Sequence, residues 1–187
     1  TFDWYQRDTK NMLTAGVVQL PATVGAAAPM QNTASMRTNG WELTLRWADK
    51  IGKVGYRAGL NLYDRTSKIN EYYNNPSGII GTYYVGQKIG EIWGYQWDGF
   101  YSVNDFENTT LWKLKPDLTS IEGYNVKPGD MKFKNLNDDA GSTNMIDPGT
   151  STISDPGDRS VIGNTTPRYL YGGNLGVNYG GFDLSVM

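Results

Sequence analysis

The chain lacks cysteine and histidine in all of its 187 residues, and both absences exclude functions. Without cysteine it cannot form a disulfide framework or a thiolate metal site. Without histidine it lacks the commonest general base and the commonest transition-metal ligand. A formal net charge of −2 gives no basic surface of the kind that binds nucleic acid. We therefore expect a protein that is not an enzyme and has no nucleic-acid partner.

Long hydrophobic runs are also missing. No stretch approaches the roughly 20 apolar residues of a membrane helix. The chain is instead rich in glycine and aromatic residues, with 23 Gly, 13 Tyr and 6 Trp. Hydropathy along a run does not test for a β-barrel, because only every second residue of its strands faces lipid.

Bulky apolar residues alternate with small or polar residues in three stretches, which predicts β-strands with one apolar and one polar face. Strands of about ten residues joined by short turns match the length that a tilted strand needs to cross a bilayer. The alternating apolar residues are Trp41, Leu43, Leu45 and Trp47, then Tyr56, Ala58, Leu60 and Leu62, then Tyr169, Tyr171, Leu175, Val177 and Tyr179.

The predicted fold is all-β: a segment of an antiparallel transmembrane β-barrel with one long extracellular loop. The loop covers about 68–166, and the strands cover about 1–10, 38–48, 54–67, 167–179 and 182–187. Five strands cannot close a barrel by themselves, since closed bacterial barrels have at least eight. We therefore expect these 187 residues to be a piece of a longer protein.

Several motifs, taken in order, resemble the SusC/RagA family of TonB-dependent outer-membrane transporters. They are DWYQRDTKNML at 3–13, TNGWEL at 38–43, IWGYQWDGFY at 92–101, PGDMKFKNLNDD at 128–139 and DRSVIG at 158–163. Two departures from the family pattern are Asn135 and Ala140, where the family usually has Asp and Gly. An insertion at 142–156 separates the last two motifs.

The resemblance implies a role and partners. It implies the C-terminal half of a barrel in the outer membrane of Bacteroidetes-type bacteria, without the plug domain. Such transporters import oligosaccharides or peptides in a TonB-dependent manner. The implied partners are a SusD-like surface lipoprotein, the TonB complex, reached through the N-terminal part of the protein, and outer-membrane lipid.

The aromatic stretch inside the predicted loop is the candidate contact site for substrate or partner. Its members are Trp93, Tyr95, Trp97, Asp98 and Tyr101. Aromatic faces stack on sugar rings, and aromatic side chains suit wet interfaces. The alternative is that these rings form the packing core of a folded loop.

A calcium site is the one cofactor that the sequence suggests. Asn135, Asn137 and Asp139 place oxygen side chains at positions one, three and five of a calcium loop. Positions six and twelve, however, hold Ala140 and Ile146 in place of Gly and Glu. The alternative is a cluster of Asx turns, in which these side chains bond their own backbone.

Charged residues within the strands are expected on the polar face, lining the barrel lumen. These are Glu42, Arg46, Arg57 and Arg168. They either contact substrate or plug, or pair with one another.

A different class of protein remains open as an alternative. A secreted, non-catalytic carbohydrate-binding β-sandwich would also have regular strands and many aromatic residues. Such a domain would fold by itself in buffer, whereas a barrel segment would aggregate or require detergent.

Overall fold

The computed structural model describes residues 1–15, 21–26, 29–108, 110–137 and 144–187. The chain divides into two compact units. The sheet unit comprises Thr1–Asn74, Gly86–Ile89 and Thr166–Met187, and the loop unit comprises Asn75–Val85 and Gly90–Thr165. Within the described ranges, no helix is long and apolar enough to span a membrane.

The described residues are all-β, apart from short 3-10 helices at Ala22–Val24 and Val103–Asp105. The strands are β1 (Phe2–Thr14), β2 (Gln31–Ile51), β3 (Val54–Tyr72), β4 (Glu91–Tyr95), β5 (Trp97–Phe100), β6 (Phe106–Asn108), β7 (Lys113–Leu114), β8 (Ser120–Ile121), β9 (Met131–Phe133), β10 (Met145–Ile146), β11 (Arg159–Asn164), β12 (Leu170–Tyr179) and β13 (Phe182–Val186).

The sheet unit is built on one five-stranded antiparallel sheet with the order β1-β2-β3-β12-β13. Tight turns at one end join β2 to β3 and β12 to β13. Gly52, Gly180 and Gly181 provide the positive φ angles of these turns, at 60°, 57° and 89°. β1 and β13 are the two edges of this sheet, which is open in the described residues.

Register brings the apolar residues of neighbouring strands together on one side of the sheet. Leu43 lies opposite Leu62, and Leu45 lies opposite Leu60. Residues directly opposite in an antiparallel pair point to the same face. We call this side the apolar face and the other side the polar face.

The strands of the sheet extend beyond the predicted bounds. β1 continues to Thr14 and β2 begins at Gln31, although the sequence predicted strands over about 1–10 and 38–48. Register shifts follow Thr9 and Ser35. A bulge inserts an extra residue and breaks the alternation while pairing continues, so the period-two pattern ends before the strand does.

The predicted loop at 68–166 has different bounds in the structure, where the connection between β3 and β12 covers 73–169. β3 continues to Tyr72, so the predicted loop begins inside a strand. At its other end β12 begins only at Leu170, after Tyr169, whose φ is 54°.

The loop unit has a small hydrophobic core of its own. Two-stranded ribbons pair β4 with β11, β5 with β9, β6 with β7 and, in parallel, β8 with β10. Tyr101, Phe106 and Val126 are buried together. Partly buried Trp112, Leu114 and Ile121 pack against this cluster. A connection of this length needs such a core to hold its shape.

Candidate functional site

The most exposed aromatic side chains of the predicted contact stretch are Trp97 and Phe100, on β5. Their ring centroids lie 5.8 Å apart in an edge-to-face arrangement, and the two residues are 60% and 59% exposed. On β9, Phe133 lies opposite Trp97 and Met131 lies opposite Phe100. Met131 is also exposed. Trp97, Phe100 and Met131 therefore form an exposed apolar patch, which we call the Trp97 patch.

Trp93, by contrast, is held in a hydrogen-bond network within the loop unit. Its indole N–H donates to the hydroxyl of Tyr84 at 3.1 Å, and that hydroxyl donates to the Glu91 carboxylate at 2.6 Å. Burial, with a further contribution from the hydrogen bond to Glu91, raises the pKa of Tyr84 to about 12. Trp93 is half-buried in this network, which leaves only part of its ring for a ligand.

Tyr95 and Asp98 lie on either side of Trp97 in the chain and differ in exposure. Tyr95 is half-buried, and its ring centroid lies 5.6 Å from that of Phe133. Asp98 is exposed. The Asp98 side chain is therefore open to solvent, whereas Tyr95 supports the ribbon by packing.

Tyr101 is buried, although the sequence placed it among the solvent-facing contact candidates. It is 2% exposed, and its hydroxyl donates to the carbonyl of Thr119. Burial raises the pKa of Tyr101, with a smaller effect from the carboxylates of Asp105 and Asp130. Its side chain holds the core of the loop unit together and does not line the surface.

The backbone at Gly99 explains why Tyr101, and not Phe100, was predicted from the sequence to be a contact residue. In a regular strand Trp97 and Tyr101 would share a face. Gly99 instead adopts a φ of 105°, and the pairing register shifts between Trp97 and Phe100. The irregularity exchanges the faces, so Phe100 meets Trp97 and Tyr101 turns inward. The Asp98-Gly99 pair is the feature of the sequence that could have indicated this irregularity.

The segment predicted to bind calcium is held by a buried carboxylate further along the chain. Asp158 is 0% exposed. One of its oxygens accepts from the backbone N–H of Leu136 at 2.5 Å and of Asn137 at 3.3 Å. The other accepts from the backbone N–H of Asp147 at 2.9 Å. Asp158 thus fixes two separate stretches of backbone, which the sequence did not predict.

The calcium site itself stays a prediction. The amides of Asn135 and Asn137 contact Asn144 at 3.4 Å and Asp147 at 3.5 Å. The side-chain oxygen of Asn137 is buried without a hydrogen-bond partner, which suits a cation ligand. Asp139 lies outside the described residues. Within the described part of the chain, no three acidic, histidine or cysteine side chains are grouped as for a metal.

Arg168 differs from its predicted place on the polar face. It forms an ion pair with Asp64, which is buried and lies opposite Trp41 in register. The pair therefore lies at the margin of the apolar face, where the Asp64 carboxylate accepts hydrogen bonds from two guanidinium N–H groups of Arg168.

Comparison with known proteins gives one curated relative and several solved structures. No family model matches the chain. The "TonB-dependent receptor P3" of Formosa agariphila is 23% identical over 203 residues, which cover 100% of this chain and 18% of the relative.

The solved structures share the fold of this chain at low sequence identity. A RagAB peptide transporter matches with a TM-score of 0.54 and 16% identity over 98% of this chain and 18% of that chain. The RagAB peptide importer in its "open-open" state matches with a TM-score of 0.59 and 17% identity, over 98% of this chain and 17% of that chain.

The relative and the solved neighbours are named as a receptor and as transporters or importers. They confirm the more particular resemblance that the motifs predicted, to a segment of a SusC/RagA-type TonB-dependent transporter. The chain spans about a fifth of the length of the relatives it matches, 17–18% in each case above.

Proposed function

We propose that this chain forms part of the β-barrel wall of an outer-membrane transporter. The whole protein would import oligosaccharides or peptides in a TonB-dependent manner, together with a SusD-like surface lipoprotein. The observation that carries the proposal is a band of large apolar side chains on one face of the sheet, most of them exposed in the described residues.

The height of this band matches the hydrocarbon layer that a barrel must cross. On β2 the apolar face runs from Trp41 to Ile51, which is ten residue steps, and its one charged residue on this strand is Asp49, beside the tight turn. At about 3.3 Å per step and a tilt of about 40°, ten steps span roughly 25 Å. A band of about this height is typical of outer-membrane barrels.

Both margins of the band are marked by the residues expected at a membrane interface. Beyond Trp41 the apolar face becomes polar, because Asn39 lies opposite Thr66 and Arg37 opposite Lys68. Aromatic side chains stand at the two margins, as in an aromatic girdle. At one margin they are Trp4, Trp41 and Tyr171, and near the tight turns they are Tyr56, Tyr179 and Phe182.

The two edges of the sheet indicate that a membrane location requires further strands. β1 and β13 each have one unpaired side in the described residues. In hydrocarbon, unpaired backbone N–H and C=O groups cost several kcal/mol each. A membrane location therefore requires more strands than these five, supplied by a longer protein.

The Trp97 patch is the proposed contact for the transported substrate or the lipoprotein. Its rings offer flat apolar area, and the neighbouring Asp98 offers a hydrogen-bond acceptor. The solved neighbours are named as peptide transporters or importers, which favours a peptide among the two substrate classes.

The β-sandwich alternative requires a second sheet over the apolar face. Trp47, near the middle of that face, is instead 64% exposed, and the other sheets of the described residues are two-stranded ribbons. This arrangement favours lipid, not a second sheet, as the environment of the apolar face.

The first test is the location of the full-length protein in its source cells. We expect it in the outer-membrane fraction, with a band in SDS gels that shifts on boiling, as a closed barrel gives. A soluble protein without a heat shift would overturn the proposal.

The second test concerns transport. Trp97→Ala should reduce uptake of the transported peptide or oligosaccharide about tenfold, by loss of one well-packed aromatic contact. Tyr124→Ala removes another exposed ring of the same unit and serves as the matched control. Equal uptake by both variants would contradict the proposed role of the Trp97 patch, but it would not contradict the proposed role of the chain in the barrel wall.

A further inference from the structure

A row of cations lies on the same side of the sheet as the apolar face, beyond the aromatic margin at Trp41. Arg37 on β2 lies opposite Lys68 on β3, and Lys68 lies opposite Lys88 in an isolated β-bridge. Arg37 shares the face of Trp41 because the two are an even number of residues apart on β2, and residues opposite in an antiparallel pair point to the same face. We call Arg37, Lys68 and Lys88 the cationic row.

The middle member of the cationic row has no counterion from this chain. Arg37 pairs with Asp8 of β1 at 2.7 Å. Lys68 is exposed, and no carboxylate pairs with it in the described part of the chain. The next carboxylate along β3 towards the loop unit is Glu71, which lies opposite Ser35. Like charges directly opposite one another are unfavourable in an antiparallel pair, so an anion at Lys68 would relieve the repulsion from the cations on either side.

The height of the row above the apolar band matches the headgroups of a membrane. Arg37 lies four residue steps from Trp41 along β2. At about 3.3 Å per step and a tilt of about 40°, these steps reach roughly 10 Å beyond the aromatic margin. The headgroup region adds roughly 5–8 Å on each side of the hydrocarbon layer, and long lysine and arginine side chains bend towards polar surroundings. The charged ends of the row therefore lie within reach of headgroup phosphates.

The charge at the other margin of the same face has the opposite sign. On β2 the charged residue of this face near the tight turn is Asp49, which lies opposite Tyr56 of β3. In outer-membrane barrels short turns are periplasmic and long loops are extracellular. The long connection between β3 and β12 therefore places the cationic row at the outer leaflet.

We propose that the cationic row binds the phosphate of a lipid headgroup in the outer leaflet of the membrane. The inference rests on the proposed function, which places the apolar face in lipid. Ammonium and guanidinium groups form charge-assisted hydrogen bonds to phosphate oxygens, and basic clusters next to membrane-spanning segments attract anionic headgroups. Lipid A, the glycolipid of the outer leaflet, has phosphate on its headgroup and is the occupant that fits this charge and height.

The test is native mass spectrometry of the full-length protein in detergent, titrated with lipid A and with dephosphorylated lipid A. We expect lipid A to bind, and we expect either removal of its phosphate or Lys68→Gln to weaken binding about tenfold, because a charge-assisted hydrogen bond is lost. Lys68→Arg keeps the charge and should bind lipid A as the unmodified protein does. Arg46→Gln removes an exposed cation from the polar face and is the matched control, which should leave binding unchanged.

Four results would overturn the inference: no binding of lipid A, equal binding of its two forms, equal binding by the unmodified protein and Lys68→Gln, or an equal loss in Arg46→Gln. The heat-shifted band of the same preparations separates this inference from the proposed function. When the band is present, any of these results rejects the cationic row alone. Absence of the band from the unmodified protein would reject the membrane location as well.

Discussion

The aromatic side chains of the two units differ in their exposure to solvent. In the sheet unit Trp47 is 64% exposed, and most large apolar residues of its face are exposed with it. In the loop unit Tyr101 is 2% exposed and packs against Phe106 and Val126. The loop unit carries a core within itself, whereas the apolar face of the sheet requires an apolar environment from outside.

The difference also appears in how polar groups are satisfied. The sheet pairs its backbone groups along long ladders between strands. The loop unit has short ribbons and relies on side chains, above all Asp158, to satisfy its backbone N–H groups. A substitution should therefore affect either membrane assembly or loop structure, and we expect few that affect both.

The largest effect is expected at Asp158. Asp158→Ala would leave up to three part-buried backbone N–H groups without their charged acceptor, and we expect a loss of about 4 kcal/mol in the loop unit. Limited proteolysis of cells carrying the full-length protein should show new cleavage near Leu136 and Asp147. Asp117→Ala, at an exposed carboxylate, is the control. If the heat-shifted band also disappeared, the two units would not be independent.

A smaller effect is expected in the middle of the apolar band. Leu45→Arg places a charge on the proposed lipid face, at a cost of about 3 kcal/mol. The fraction of full-length protein that shows the heat-shifted band should fall. Thr44→Arg, one residue earlier on the polar face, is the matched control and should assemble normally. Equal assembly by the two variants would mean that the apolar face does not meet lipid.

The smallest effect concerns the titration of Tyr84. Its pKa of about 12 is above the value of about 10 that tyrosine has in an unfolded chain. The folded protein thus holds this proton more tightly, so the stability it contributes is full below pH 10 and is lost as the pH rises through about 12.

Absorbance at 295 nm, which follows phenolate formation, measures this titration. Subtracting the curve of Tyr84→Phe from that of the unmodified protein should leave one transition near pH 12. The same subtraction with Tyr124→Phe, at an exposed ring, is the control. A Tyr84 transition near pH 10 would mean that its network with Trp93 and Glu91 does not form.

Local irregularities limited what could be predicted in both units. The alternation of Trp41, Leu43 and Leu45 predicted the apolar face, because strand geometry alone puts every second residue on one side. The bulge after Thr9 hid the end of β1, and Gly99 exchanged the faces of Phe100 and Tyr101. Neither irregularity changes which residue types its segment contains, so a prediction from every second residue cannot detect it.

The sequence by itself determined that the chain is all-β, that its strands have one apolar face, and that its motifs resemble SusC/RagA-type transporters. These properties follow from residue order over a few positions. The tertiary structure alone decided that Asp158 holds the backbone at Leu136 and Asp147, and that Arg46 and Asn174 lie in register on either side of Gly59. The residues in these arrangements lie from 11 to more than 100 positions apart in the chain, and only the folded structure brings them near one another.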